Sequence, residues 1–210
     1  MMNFKNIFCR HLVILLLMLT ASGNVLAATK LMILGDSLSA GYRLPADSAW
    51  AKLLADKWQQ SPQKISVINA SISGNTAAQG LARLPALLEQ HKPDWVLIEL
   101  GANDGLQGLA VQQLNRDLQQ IITLIKQSGA QPLLMQIRIP PNYGQRYTRS
   151  FEQIYPALAH EAEIPLLPFY MEQVVIKPEW LQADGIHPTE EAQAFIADYM
   201  DSALSPYVKK

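Results

Sequence analysis

Cysteine is all but missing from this chain: Cys9 is the only one in 210 residues. A disulfide framework within the monomer is excluded, and a thiolate metal site has no ligands to use. Charge is sparse at 17% of residues and nearly balanced, with 17 Lys and Arg against 18 Asp and Glu. A nucleic-acid binder would need a basic surplus gathered on one face. No apolar run reaches the ~20 residues that span a bilayer. Three glycine signatures are also absent: Gly-x-x-x-x-Gly-Lys-[Ser/Thr], Gly-x-Gly-x-x-Gly and Gly-x-Ser-x-Gly. The first two absences remove the usual phosphate-binding loops. The third removes the nucleophile elbow of the α/β-hydrolase fold. No internal repeat, low-complexity tract or linker interrupts the sequence.

What remains is an ordinary globular composition, 49% hydrophobic, with 13 Pro and 11 Gly spread along the chain. Disorder and collagen-like repeats do not look like this. The length suits one core and is short for two.

Residues 1–27 read as an address. Lys5 and Arg10 give a basic start with no acidic residue in the segment. Leu12 to Leu19 is unbroken apolar sequence, followed by small and polar residues and then Val25-Leu26-Ala27. Val and Ala at −3 and −1 suit a signal peptidase, so a secretory signal cleaved after Ala27 is expected. Cys9 lies ahead of the apolar run and leaves with it. Losing the two cations takes the formal charge from −1 to −3. A cysteine-free chain is indifferent to an oxidising compartment. The expectation is a periplasmic or secreted protein, not stably inserted in a membrane after cleavage, with residues 28–210 as a single domain.

The rest alternates two periodicities. Strands are expected at Lys30–Gly35, Lys64–Asn69, Trp95–Leu100, Gln131–Ile139 and Pro165–Pro168. Helices are expected at Ser48–Gln60, Thr76–His91, Val111–Ser128, Tyr147–Glu163 and Thr189–Leu204. Pro85 should kink or break the second helix. Gly129 should end the third, and Thr189 should cap the last. Such alternation implies a three-layer α/β/α sandwich: a five-stranded parallel sheet, flavodoxin-like, with right-handed crossovers.

In these sheets the binding crevice lies beyond the carboxyl ends of the strands. The polar residues collect there. Gly35-Asp36-Ser37-Leu38-Ser39 follows the first strand, Asn69 to Thr76 the second, and Gly101-Ala102-Asn103-Asp104-Gly105 the third. Asp184-Gly185-Ile186-His187-Pro188 precedes the last helix. A serine hydroxyl is a poor nucleophile until a base takes its proton. His187 is the one histidine on a Gly/Pro-rich loop, and Asp184 is three residues away, close enough to hold its ring. The backbone N–H of Ser37, the N–H of Gly74 and the side-chain amide of Asn103 can serve as oxyanion donors. Singly, each has a plainer reading: Ser37 a helix cap, Gly74 a turn with positive φ, Asn103 to Gly105 a turn, Asp184 and His187 a surface pair. Asp36 and Asp104 read as carboxylates that shape loops by accepting N–H bonds. Asp184 and His187 have no third ligand nearby, so no metal is expected.

The block around Ser37 resembles the first motif of the GDSL, or SGNH, hydrolases. Gly74, Asn103 and the Asp184-x-x-His187 pair stand where that family carries its other motifs, so the resemblance runs from Gly35 to Pro188. It implies a flavodoxin-like fold, no cofactor, and hydrolysis through an acyl-enzyme. Ser37, Asp184 and His187 would be catalytic; Ser37, Gly74 and Asn103 would form the oxyanion hole. Expected substrates are acyl-CoA thioesters, lysophospholipids and simple carboxylic esters, handled by a monomer. A carbohydrate acetylesterase of the same family and a non-catalytic binding module are the alternatives. An acyl chain needs an apolar groove, for which Leu106, Leu109, Ile139, Pro140, Tyr143, Val174 to Ile176 and Trp180 are candidate walls. A sugar site would instead want exposed aromatics with polar neighbours.

Overall fold

In the computed structural model, residues 28–209 are described. The signal-like segment 1–27 lies outside them. Five strands form one parallel sheet: β1 (Thr29–Gly35), β2 (Ile65–Asn69), β3 (Trp95–Glu99), β4 (Gln131–Met135) and β5 (Leu166–Leu167). Their spatial order is β2-β1-β3-β4-β5. The sequence-based class, an α/β sandwich on a five-stranded parallel sheet, is what forms.

The strands are apolar because both faces are covered. Leu31 to Leu34 and Val96 to Ile98 are fully buried. Between β1 and β2 runs α2 (Trp50–Gln59), which packs against the last helix, α9 (Glu190–Val208). The crossovers β2→β3 and β3→β4 carry α3 (Ala77–His91) and α5 (Val111–Gln127), which pack on each other. The chain steps one way after β1 and the other way after β2. Right-handed crossovers therefore put α2 with α9 on one face and α3 with α5 on the other. Connections from β1 and β3, neighbours in the sheet, depart in opposite directions. That switch point opens a crevice at their carboxyl ends.

Several boundaries differ from the sequence reading. α3 runs unbroken through Pro85. Burial of Leu84 and Leu88, and a capping box between Thr76 and Gln79, hold it despite one missing N–H. The expected helix 147–163 is two, α6 (Gln145–Glu152) and α7 (Ile154–Glu161). Pro156 has no N–H to give the Glu152 carbonyl, and Gln136 Nε2 donates to that carbonyl at 3.2 Å instead. β4 stops at Met135, not Ile139, because its partner β5 has only two residues between Pro165 and Pro168. Thr189 sits at the N-cap of α9 but makes no side-chain cap bond, and its hydroxyl is buried without a partner among the described residues. Its backbone N–H donates to the Trp180 carbonyl at 2.8 Å, which closes the preceding loop. Three short helices were not anticipated: α1 (Ser37–Ala40), α4 (Ala102–Leu106) and α8 (Met171–Val174). No helix among the described residues is long and apolar enough to cross a membrane.

Gly101 turns the chain from β3 into α4 at φ 114°. A Cβ there would collide with Tyr155 Oη, which donates to the Leu100 carbonyl at 3.1 Å. Strain and overpacking act together, so Gly101→Ala should cost about 3 kcal/mol of folding stability. Urea unfolding of the variant measures this; a loss under about 0.5 kcal/mol would mean the turn relaxes freely.

Candidate active site

β1 ends at Gly35, and the chain turns at once into α1. Asp36 caps that helix: its Oδ1 accepts the Leu38 N–H at 3.0 Å, and the residue is fully buried. Ser37 is thereby placed at the first helical position, not at the cap, with its hydroxyl facing the crevice. Ser37 Oγ lies 2.9 Å from His187 Nε2. His187 Nδ1 lies 2.8 Å from Asp184 Oδ2. The other oxygen, Asp184 Oδ1, accepts the N–H groups of Ile186 and His187, each at 3.0 Å. Burial alone would raise the Asp184 carboxyl, but these N–H bonds and the imidazole outweigh it and hold it down at about 2. A carboxylate so held stays charged and fixes the ring's orientation.

The loop that carries Asp184 and His187 is tied to the serine segment. Its two ends close through an antiparallel bridge between Leu181 and Pro188. Gln182 Nε2 donates to the Pro188 carbonyl at 2.9 Å and to the Tyr42 carbonyl at 3.0 Å. The Tyr42 ring lies on His187, centroids 4.3 Å apart. Neither Gln182 nor Tyr42 was singled out in the sequence, where nothing marks them as part of this loop closure.

The expected donors lie on three neighbouring segments, after β1, β2 and β3. Gly74 has φ 81°, with nothing near a notional Cβ. Asn69, at the end of β2, holds its loop against α1 through Nδ2, which donates to the Ser39 carbonyl at 2.7 Å. Asn103 lies in α4, not in a turn. Its Nδ2 donates to Asp36 Oδ2 and to the Asn75 carbonyl, both at 3.1 Å. Asp104 Oδ2 accepts the Ala77 N–H at 2.9 Å, pinning the start of α3. Ser37, Gly74, Asn103 and His187 all line one cavity of about 220 Å³.

A second cavity, about 340 Å³, adjoins it and shares Leu38, Ala102, Leu106 and Ile186. Of the residues singled out in the sequence as walls, Leu106, Ile139, Pro140 and Val175 line it. Leu109, Tyr143, Val174, Ile176 and Trp180 line neither cavity. Tyr143 acts from outside, its hydroxyl donating to the Leu106 carbonyl at 2.9 Å. Leu109 points to solvent at 41% exposure, while its carbonyl accepts from Tyr147 Oη at 2.8 Å. The walls not anticipated include Leu38, Phe169 and Met171, whose apolar character reads as plain core in a sequence, and the charged Arg138 and Glu172.

Below Ser37 sits a second buried acid. Glu99 is fully buried, and its Oε2 accepts from Ser39 Oγ at 2.6 Å. Burial first, then the charge of Asp36, pushes Glu99 well above the ordinary carboxylate range. Asp36 is itself pushed up to about 7, by burial and then by Asp104, against the Leu38 and Asn103 bonds. Two carboxyls so close titrate as a pair, and both are pushed toward their neutral forms. Among the described residues no cluster of three His, Cys, Asp or Glu is placed to hold a metal ion.

A nucleophile, a base, an orienting carboxylate and convergent donors beside an apolar cavity are the parts of acyl transfer. The family model described as GDSL-like Lipase/Acylhydrolase matches residues 33–195. The chain belongs to that family. It is 59% identical to the thioesterase 1/protease 1/lysophospholipase L1 of Escherichia coli, over 99% of this chain and 98% of the relative. It is 51% identical to an arylesterase of Vibrio mimicus, over 92% of this chain and 97% of the relative. Among solved structures it is similar to the psychrotrophic esterase EstA of Pseudoalteromonas sp., in a form inhibited by monoethylphosphonate. That match has TM-score 0.84 and 40% identity, covering 87% of this chain and 100% of that one. The chain is accordingly an acylhydrolase.

The buried acids make the acylhydrolase's stability depend on pH. With its pKa raised on folding, Asp36 keeps a proton in the folded chain that the unfolded chain releases, between the ordinary carboxylate range and about pH 7. Stability therefore falls as pH rises through that window. Asp36→Asn removes this titration, so its stability relative to the wild type should improve from pH 5 to pH 8. Urea midpoints of both proteins at the two pH values measure it; an offset identical at both would mean that Asp36 does not carry the cost.

Proposed function

We propose that this acylhydrolase cleaves acyl thioesters, lysophospholipids and simple carboxylic esters, with Ser37, His187 and Asp184 as its catalytic residues. The observation that carries the reading is the hydrogen-bonded chain Asp184–His187–Ser37, opening beside an apolar cavity. His187 Nε2 takes the Ser37 proton as Oγ attacks the acyl carbonyl. The new oxyanion is met by the N–H groups of Ser37 and Gly74 and by Asn103 Nδ2. Because the Asn103 amide is already shared between Asp36 and Asn75, the oxyanion draws one of its hydrogens away as charge develops. His187 then gives the proton to the departing thiolate or alkoxide. In the second half, water attacks the acyl-Ser37 ester with His187 again as base, releasing the acid.

The names of the relatives support this substrate range, thioesterase and lysophospholipase in one case and arylesterase in the other. The phosphonate inhibition stated for EstA supports a nucleophile that adds to a tetrahedral centre. The cavity walls support an acyl chain over a sugar: Leu106, Ile139, Phe169 and Met171 offer apolar surface. A complete Ser37–His187–Asp184 chain speaks against a binding module. Export through a cleaved segment 1–27 to the periplasm, or beyond it, and a catalytic domain spanning 28–210 complete the proposal.

Ser37→Ala should lower kcat by about 10⁴–10⁶-fold for a p-nitrophenyl ester and an acyl-CoA alike, with the thermal midpoint kept. Thioester turnover surviving in that variant would mean a second nucleophile. The apolar cavity should read chain length. Each methylene buried is worth about 0.8 kcal/mol, so kcat/KM should climb with acyl length until the cavity is full. Leu106→Ser should flatten that climb while sparing acetyl esters. Parallel length profiles in the two proteins would show that Leu106 supports the loop and does not touch the chain.

A further inference from the structure

The oxyanion donors of the proposed site sit on separate segments that follow β1, β2 and β3, and one side chain joins those segments. Arg83, on the second turn of α3, extends its guanidinium under the turn that carries Gly74. Its Nε donates to Asn75 Oδ1 at 2.9 Å, and Nη1 donates to the Ala70 carbonyl. Nη2 reaches the Gly35 carbonyl at 3.5 Å, the longest contact of the set. Ala70 and Asn75 bracket Gly74, and Gly35 lies two residues before Ser37. The Asn75 carbonyl is also the acceptor that holds Asn103 Nδ2. One planar group thus spans the end of β1 and both ends of the Gly74 turn, and reaches Asn103 through Asn75.

The chemistry of this brace is unusual. Arg83 is half-buried, and among the described residues no carboxylate pairs with it. Burial pulls its pKa below the ordinary arginine value. Its acceptors are all neutral oxygens. Taking a cation partly out of water without an anion costs stability. A lysine could not replace it, since only the rigid guanidinium fork donates along several fixed directions at once.

We propose that Arg83 is a positioning residue for the oxyanion hole. It sets the Gly74 N–H and, through Asn75, the Asn103 amide at the distances the tetrahedral oxyanion needs. The inference rests on the acyl-hydrolysis reading above. Donors that act on the oxyanion count in the transition state and little in the ground state, so their displacement lowers kcat and leaves KM.

The test uses Arg83→Ala and Arg83→Lys, with competent sites counted by fluorophosphonate titration so that unfolded protein drops out. Per-site kcat and KM are measured on p-nitrophenyl butyrate. Inhibition by an alkyl trifluoromethyl ketone, which forms a tetrahedral adduct, is compared with inhibition by the matching fatty acid, which does not. Per-site kcat should fall about 10–100-fold in both variants with KM within about twofold. Ketone affinity should fall by the same factor as kcat/KM, fatty-acid affinity should hold, and added methylguanidinium should restore part of kcat in Arg83→Ala. An unchanged per-site kcat, or ketone and fatty-acid affinities lost together, would overturn the proposal. If Arg83→Ala does not fold, Asn75→Ala decides, with about a 3–10-fold drop in kcat at constant KM expected and no drop overturning it. A wild-type protein with no turnover and no ketone binding would instead sink the acyl-hydrolysis reading, taking this inference with it.

Discussion

The contact between Ser37 Oγ and His187 Nε2 joins residues 150 positions apart, at 2.9 Å. Neither side chain could hold that distance alone, because Ser37 opens the four-residue α1 and His187 sits on a loop. Ser37 is fixed by following the buried stretch Leu31–Leu34 of β1 and by the Asp36 cap on α1. His187 is fixed by the two N–H bonds into Asp184 and by the bridge that closes its loop at Leu181 and Pro188. Gln182 then ties one loop to the other through the Tyr42 carbonyl. Preorganisation of this kind is what lets a hydroxyl and an imidazole react without first paying to find each other.

The arrangement has a cost, borne beneath the site. The crevice opens where the chain departs from β1 and β3 in opposite directions, and the residues at that point are Gly35 and its register partner Glu99. A Cβ on Gly35 would come within 2.6 Å of Glu99 Oε2. The strand end is thus narrowed to glycine so that a buried acid can lie against it. Glu99 and Asp36 together put two carboxyls into the driest part of the sheet, and both are driven toward their neutral forms by burial. Stability is given up where the turn that presents Ser37 is shaped, a common compromise in active sites.

Much of this was legible before any coordinates. Strand-like and helix-like periods alternate clearly enough to give the sheet. The rule that ligands bind beyond the carboxyl ends of strands then selects the rim where Ser37, Gly74, Asn103 and His187 are found together. The cavity walls were less legible. Leu109 and Tyr143 follow rim residues in sequence yet line neither cavity: α4 ends at Leu106, leaving Leu109 beyond it and exposed, and Tyr143, after β4, meets the Leu106 carbonyl from outside. Phe169 and Met171 reach it from beyond β5, and no periodicity distinguishes an apolar residue facing a cavity from one facing core. The break between α6 and α7 was hidden for a similar reason. Pro156 marked it, but a proline in a helix's first turn and a proline in its middle look alike until the turn is located.

The proposed hydrolysis requires a covalent acyl intermediate at one hydroxyl. Brief reaction of the full-length protein with an alkyl fluorophosphonate at neutral pH, followed by peptide mapping by mass spectrometry, tests that directly. One adduct per chain is expected, on the peptide bearing Ser37, with ester turnover lost in step with labelling. Labelling at Ser39, Ser71 or Ser73, or turnover that persists in fully labelled protein, would contradict a single Ser37 nucleophile.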